Sequence, residues 1–328
     1  SPERSPMHSI VVSQNGGSEL LALSDSPEPT CGADEIRVDV AAAGVNFIDI
    51  YQREGLYSIP LPYTPGLEGA GIVSAVGSQV TRFQPGDRVA WCGHLGSYAQ
   101  QVSLRADMAV HVPPTLSLES AAGMMLQGLT AHYLVTSVYD VKAGDCALVH
   151  AAAGGVGLLL CQMISARGAT VIGTVSTEAK ADAANRAGAS HVIRYDTEDV
   201  PTRVRELTEG RGVNVVYDGV GQATFQGSLH SLSPRGTLAL FGQASGPVTA
   251  FDPQILNQLG SLVLTRPSLT HFTATPEELQ WRADEVLGAV ASGELTFTLS
   301  GTYPLEDAAR AHDDLGSRKT SGKLLLIP

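Results

Sequence analysis

Aromatic residues are scarce in this chain, basic clusters are absent, and the few cysteines stand far apart. Phe, Tyr and Trp make up 5% of 328 residues, so composition gives no hint of a large stacked substrate. Cys31, Cys92, Cys146 and Cys161 form no C-x-x-C pair. That spacing suits free thiols in a reducing, cytoplasmic compartment better than a disulfide framework, and it lacks the four closely spaced cysteines of a structural zinc lobe. The nine histidines show no H-x-x-x-H spacing and read as surface or satisfied core residues. No apolar run reaches the ~18 residues of a membrane span; Ala41–Val45 and Gly157–Ile164 are broken by small or polar residues. Lys and Arg number 21 against 33 Asp and Glu, a net charge of −12. A nucleic-acid partner, which needs clustered cations, is therefore not expected.

What is present describes a folded protein. Hydrophobic residues reach 43% and charged ones 16%, which excludes disorder as the main state. The length exceeds what one core usually serves, so two domains are expected. The polar Ser1–Pro6 is read as a remnant of an expression vector ahead of a native start at Met7, with no signal peptide.

The first ~125 residues read as strands and turns rather than helices. Glu35–Ala42 alternates polar and apolar, Ala70–Val76 is glycine-bounded, and Arg88–Trp91 follows the turn Gln84-Pro85-Gly86-Asp87. From Leu116 strands alternate with helices. Cys146–His150, Ala169–Val175, His191–Arg194, Val213–Tyr217, Thr237–Phe241 and Ser261–Thr265 read as strands, apolar on both faces. Leu118–Thr136, Gly155–Ala166, Thr177–Ala187 and Pro201–Glu209 read as helices. Such alternation means an α/β fold with a doubly wound parallel sheet. Beyond Arg266 come a helix at Thr275–Ser292 and a last strand at Lys323–Ile327. The expected domains are residues 1–126 (β-rich), 127–266 (nucleotide-binding) and 267–328 (returning to the first).

The sharpest local signal is His150-Ala151-Ala152-Ala153-Gly154-Gly155-Val156-Gly157, which leaves an apolar strand and opens a helix. Gly154 and Gly157 have the spacing of the second and third glycines of a dinucleotide fingerprint, with Ala152 in place of the first. Small residues let the backbone approach a pyrophosphate, and the helix N-terminus supplies N–H donors. The next strand, which carries Gly173, ends on Ser176 with Lys180 one helical turn later. An NAD site usually carries a carboxylate at that tip. Ser176 and Lys180 instead suit a 2′-phosphate, and Tyr195 after the third strand adds a hydroxyl, so NADPH is expected over NADH. The alternatives are a solvated helix lysine at Lys180 and a counteracting Glu178.

At this point the chain resembles the zeta-crystallin-like quinone oxidoreductase branch of the zinc-independent medium-chain dehydrogenases/reductases. The resemblance rests on Gly144-Asp145-x-x-Leu148-x-x-x-Ala152-Ala153-Gly154-Gly155-x-Gly157-x-x-x-x-Gln162. Further blocks are Gly44–Asp49, Gly66-x-Glu68-x-Ala70-Gly71, Gln127–Ala131, Tyr217–Gly221, Thr265–Ser268 and Ser317-Arg318-x-x-x-Gly322-Lys323. It implies a GroES-like catalytic domain, a Rossmann domain and a homodimer. The zinc alcohol dehydrogenases of the superfamily are similar but carry a cysteine ligand near Asn46–Asp49 and Gly-His-Glu where Gly66-Leu67-Glu68 stands here. Leu67 cannot bind zinc, so no metal is expected. Two departures, Gln127 where many relatives have Lys and Gln243 where they have Asn or Ser, retune the pocket without removing an obviously needed group.

Without a Lewis acid the acceptor must already be ready for a hydride. A quinone or an α,β-unsaturated carbonyl qualifies, because the arriving charge spreads onto oxygen. By resemblance Asn46, Tyr51 and Tyr57 line the cleft beside the nicotinamide. Asn46 would orient a carboxamide, a ribose or a substrate carbonyl; the tyrosines would donate, stack, or only pack their Pro-rich loop. Arg266 resembles an arginine near the cleft, or ties the domains. Phe241 and Gly242 would meet the nicotinamide amide through their backbone. Thr130, read as lying at the start of the long helix, would reach the cofactor's ribose or phosphate. Arg318 would reach the cofactor too, or stay solvated. Quinone reduction is preferred over enal, enone or enoyl-thioester reduction, and both over a non-enzymatic crystallin or RNA-binding role. The apolar Ser261–Thr265, expected at the sheet edge, would pair two copies.

Overall fold

The computed structural model describes residues 6–318 and 320–328. The vector-remnant reading falls mostly on residues 1–5, outside the described residues; Pro6 itself begins the first strand. The chain divides into two compact units, one running to Leu129 and again from Thr273 to Pro328, the other covering Thr130–Phe272.

The first unit opens with β1 (Pro6–Val11) and β2 (Ala22–Pro27), an antiparallel pair. Next come β3 (Glu35–Val45), α1 (Phe47–Glu54), β4 (Glu68–Val76), β5 (Arg88–Cys92), β6 (Gln101–Arg105) and β7 (Ala109–His111). The long α2 (Leu118–Tyr133) leads into the second unit. In β3 the expected alternation holds: Ile36, Val38 and Val40 are buried between more exposed Arg37 and Asp39. Those side chains pack with Val73, Val89, Trp91 and Leu104 into one core.

The second unit is built on β8 (Cys146–Val149), α3 (Gly155–Ala166), β9 (Thr170–Val175), α4 (Glu178–Arg186) and β10 (His191–Arg194). It continues through α5 (Val200–Leu207), β11 (Val213–Asp218), α6 (Phe225–His230), β12 (Leu232–Leu240), α7 (Gln254–Gln258) and β13 (Val263–Thr265). The strands form one parallel sheet in the order β10-β9-β8-β11-β12-β13. Leu148, Ile172, Ile193, Val216 and Leu238 form its core, which is why these strands read as continuous apolar runs. The doubly wound sheet is as expected. β13 does lie at the edge, but it is shorter than Ser261–Thr265, because Ser261 takes a positive φ of 54° and leaves the strand.

The chain re-enters the first unit through α8 (Pro276–Ser292), β14 (Leu299–Pro304), α9 (Ala308–Gly316) and β15 (Lys323–Ile327). The sheet there runs β14-β15-β3-β4-β5-β7, with β6 also on β3. The returning C-terminus is thus built into the sheet: β15 pairs antiparallel with β3, Leu324 opposite Val45.

One reading of the first region needs correction. It is not free of helix: α1 starts at Asn46, whose backbone N–H donates to the Asp49 carboxylate at 2.9 Å, a capping arrangement that satisfies an orphan donor. Gly55 at φ 88° ends it. An eight-residue helix inserted directly behind a strand leaves too short a 3.6-residue pattern to stand out.

Candidate active site

In the second unit the chain leaves β8 and turns through His150–Ala153 to Gly154, the N-cap of α3 (φ −76°, ψ 176°). Ala151 holds a positive φ of 50°, its carbonyl accepts from Gly154 N at 2.9 Å, and Ala152 N donates to Thr174 O at 3.0 Å. A Cβ on Gly157 would stand 2.2 Å from the Ala151 carbonyl oxygen, so only glycine lets the helix start this close to the turn. Gly173 plays the matching part on β9, where a Cβ would meet Ala152 Cβ at 2.7 Å. No side chain caps α3. Its first amides, at Gly155, Val156 and Gly157, thus present donors and the positive dipole end to an anion. β8 and β11 are neighbours, with β9 and β12 outside them. The turn therefore opens at the switch point where such sheets bind dinucleotides.

The tip of β9 carries the groups read as a 2′-phosphate pocket. Lys180 Nζ lies 3.3 Å from Ser176 Oγ, and α4 is capped by Thr177, which accepts from Lys180 N. Tyr195 N donates to Val175 O at 3.2 Å, which sets an exposed Tyr195 beside the same tip. Glu178, the residue that spoke against a phosphate, lies 3.6 Å from Arg194. These residues fit an NADPH: a glycine-only turn for the pyrophosphate, and a cation with two hydroxyls where the ribose phosphate would sit.

Beneath the turn is a network that motif reading missed. Ser228 donates to Asp218 Oδ2 at 2.7 Å and so accepts from His150 Nε2–H at 2.9 Å; His150 Nδ1 then accepts from Thr174 at 2.9 Å. Burial holds His150 below the ordinary histidine range, with the Asp218 charge opposing, so a neutral imidazole joins β8, β9 and α6. Asp218 also accepts from Val220 N and Gly221 N at 2.9 and 3.0 Å and from Thr224 at 2.6 Å. The following loops approach closely: a Cβ on Gly242 would meet Gly219 O at 2.7 Å, and one on Gly219 the Phe241 ring at 2.9 Å. Phe241 and Gly242 thus sit past the end of β12, beside the loop that follows β11.

In the first unit, Asn46 is 6% exposed. Its Nδ2 donates to Glu68 Oε1 at 2.9 Å and its Oδ1 accepts from Lys323 Nζ at 2.7 Å. Lys323 also pairs with Glu68, whose other oxygen accepts from Leu126 N at 2.7 Å. Tyr51, on α1, lies between Phe47 and Tyr57, with ring centroids at 6.5 and 6.1 Å. Tyr51 and Tyr57 therefore share an aromatic cluster, while Asn46, at the N-cap of the helix that carries Tyr51, is buried.

Behind them runs a buried relay. Asp49 Oδ2 accepts from Tyr98 OH at 2.7 Å, and Tyr98 OH meets His312 Nε2 at 3.0 Å. His312 Nδ1 lies 3.0 Å from Arg53. Complete burial pushes Asp49 up to about 7, against the hydrogen bonds from Asn46 and Tyr98. Burial, aided by the Arg53 charge, pushes His312 down to about 3.

The three remaining predicted residues lie near the end of α2, just past β13 and just past α9. Thr130 lies in the last turn of α2, not at its start, so no N-terminal dipole serves it. The Arg266 guanidinium donates to Pro267 O at 2.9 Å in the second unit. Arg318 is exposed at φ 59° just past α9. Among the described residues, no three His, Cys, Asp or Glu side chains gather where they would hold a metal, and no helix is long and apolar enough to cross a membrane.

Residues 32–136 match the Alcohol dehydrogenase GroES-like domain, and residues 155–284 match the Zinc-binding dehydrogenase family. A quinone oxidoreductase from Pseudomonas aeruginosa is 47% identical over 321 residues, 97% of this chain and 99% of that one. The chain belongs to the quinone oxidoreductase branch of the medium-chain dehydrogenases/reductases. A solved quinone oxidoreductase from Escherichia coli, complexed with NADPH, superposes on this member with a TM-score of 0.93. It is 45% identical, covering 98% of this chain and all of that one. A 2-haloacrylate reductase from a Burkholderia species is 40% identical over 329 residues, 97% of this chain and 98% of that one. The GroES-like and Rossmann architecture expected from the branch is thereby confirmed.

Proposed function

We propose that the protein is a zinc-independent NADPH:quinone oxidoreductase. One observation carries the reading: the glycine-only turn, with Lys180 and Ser176 at the next strand tip, stands in a chain that is end-to-end similar to quinone oxidoreductases. When bound, NADPH supplies a hydride from nicotinamide C4. The chain's own part is to bind and orient. Gly154, Gly155, Val156 and Gly157 hold the pyrophosphate, and Ser176, Lys180 and Tyr195 the 2′-phosphate. The backbone at Phe241 and Gly242 meets the carboxamide. Asn46 donates to the acceptor carbonyl, and Tyr51 and Tyr57 stack on a flat acceptor. Thr130, Arg266 and Arg318 complete the set; for them the support is family resemblance alone. Quinone-dependent oxidation of NADPH by the purified protein tests the reading, and its absence refutes it.

A second reading is favoured by the likeness to a 2-haloacrylate reductase, named for an alkene conjugated to a carboxylate. Here the same site would reduce enals, enones or enoyl thioesters. A homodimer is also part of the proposal, formed through edge strand β13, where Val263 is 53% exposed. Light scattering that returns a monomer mass at micromolar concentration overturns it. The net charge of −12 supports small-molecule partners over nucleic acid, and the four free cysteines support a cytoplasmic setting.

A further inference from the structure

Asn46, Glu68 and Lys323 lie far apart in sequence and meet because β15, β3 and β4 are adjacent strands. Asn46 follows the end of β3, Glu68 opens β4 and Lys323 opens β15. Gly44 makes room for the carboxylate: a Cβ there would fall 2.1 Å from Glu68 Oε1. Glu68 and Lys323 are 0% and 7% exposed. Burying two such charges is costly, and apolar residues of the same volume often serve stability as well or better. A packing role alone therefore does not account for the pair.

The geometry points to Lys323 and Glu68 as positioning residues for Asn46, fixing the face its amide presents to the acceptor. The ammonium donates to Oδ1 and the carboxylate accepts from Nδ2. Flipping the amide would set NH2 against the ammonium and oxygen against the carboxylate, so the charges select one orientation. Nδ2 keeps a second hydrogen for the acceptor oxygen, and donation from the ammonium polarises the amide toward a stronger donor. A buried ion pair, relayed through one amide, thus prepares an electrophilic contact for the carbonyl that takes up charge. This inference rests on the proposed reading of Asn46 as the residue that meets the acceptor.

The test is a mutant cycle between Asn46→Ala and the charge-neutral pair Lys323→Met with Glu68→Gln, which leaves no unpaired buried charge. Asn46→Ala and the pair are each expected to lower kcat for quinone by roughly ten- to a hundredfold, the cost of a misplaced contact. In the combined triple variant, kcat should stay within about twofold of Asn46→Ala alone, because the pair acts through Asn46. Losses that multiply, or a pair variant with wild-type kcat, overturn the inference. Lys323→Arg, which keeps the charge balance, gives a second arm: its kcat loss must likewise vanish in the Asn46→Ala background. A readout free of turnover is the Asn46 side-chain NH2 signal in NMR, assigned by its loss in Asn46→Ala. Slow hydrogen exchange in the wild type that becomes fast in the pair variant is expected, and unchanged exchange refutes the positioning. If the wild type shows no quinone turnover but the NMR result holds, the functional reading has failed and the positioning has not.

Discussion

Two glycines of the same turn should fail in different ways when given a methyl group. At Gly157 the added Cβ would stand 2.2 Å from Ala151 O and 2.9 Å from Ala152 Cα, both backbone atoms, so α3 must back away by about an ångström. Overpacking of this kind costs about 1–3 kcal/mol, which for a unit of this size lowers Tm by roughly 3–10 °C. At Gly154 a Cβ would meet only Ala151 O, at 3.2 Å, and its φ of −76° suits any residue. Gly154→Ala should therefore leave the ligand-free Tm near wild type. It should still weaken NADPH by about tenfold or more, because the methyl enters the path of the pyrophosphate. Differential scanning fluorimetry without ligand, and fluorescence titration with NADPH, separate the two effects. A Gly157→Ala protein that melts with the wild type, or a Gly154→Ala protein that binds NADPH normally, would refute the packing of the turn and its use as a cradle, respectively.

Lys180→Ala is expected to raise the KM for NADPH by roughly tenfold, the scale of one charge-assisted hydrogen bond, and to leave NADH kinetics nearly unchanged; an equal effect on both would sink the 2′-phosphate assignment. Asp49→Asn should make the protein acid-sensitive. With Asp49 held up at about 7, the native state keeps a proton that the unfolded chain sheds near pH 4, so this group costs stability as pH rises between about 4 and 7. His312, held down at about 3, works oppositely, contributing stability above about pH 6.5 that is lost as pH falls. The two slopes cancel between about pH 4 and 6.5 in the wild type. The variant keeps only the histidine slope and should lose about 2–3 kcal/mol more than wild type between pH 7 and pH 5. Urea denaturation at the two pH values measures this, and parallel profiles for variant and wild type speak against the buried relay.

The parallel sheet was legible because strands buried on both faces cannot hide: Cys146–Val149, Thr170–Val175 and Val213–Asp218 lie within a residue of where their apolar runs said. The cradle was legible because Gly157 is required by a clash within its own turn, which no tertiary context changes, and Gly154 stands before it at the fingerprint spacing. Helix α1 was not, since Asn46 and Asp49 are ordinary polar residues until the cap they form is seen. The His150–Ser228–Asp218 network and the Asn46–Glu68–Lys323 cluster were invisible for a different reason. Their members are 78 to 277 residues apart in their longest links and meet only through sheet order, which a one-dimensional pattern does not carry. In the sequence Lys323 stood out as the start of the last strand and part of a tail motif, and Glu68 as part of a family block that lacks the zinc-binding histidine; neither was read as a partner of Asn46.

The most direct measurement compares kcat/KM for 1,4-benzoquinone and 9,10-phenanthrenequinone with that for a panel of 2-enals and enones, using NADPH and chelator-treated protein. Quinone turnover well above enal turnover, undiminished by the chelator, is the predicted result. Efficient enal or enone reduction with negligible quinone activity would contradict it, keeping the fold and the cofactor but replacing a quinone reductase with a double-bond reductase.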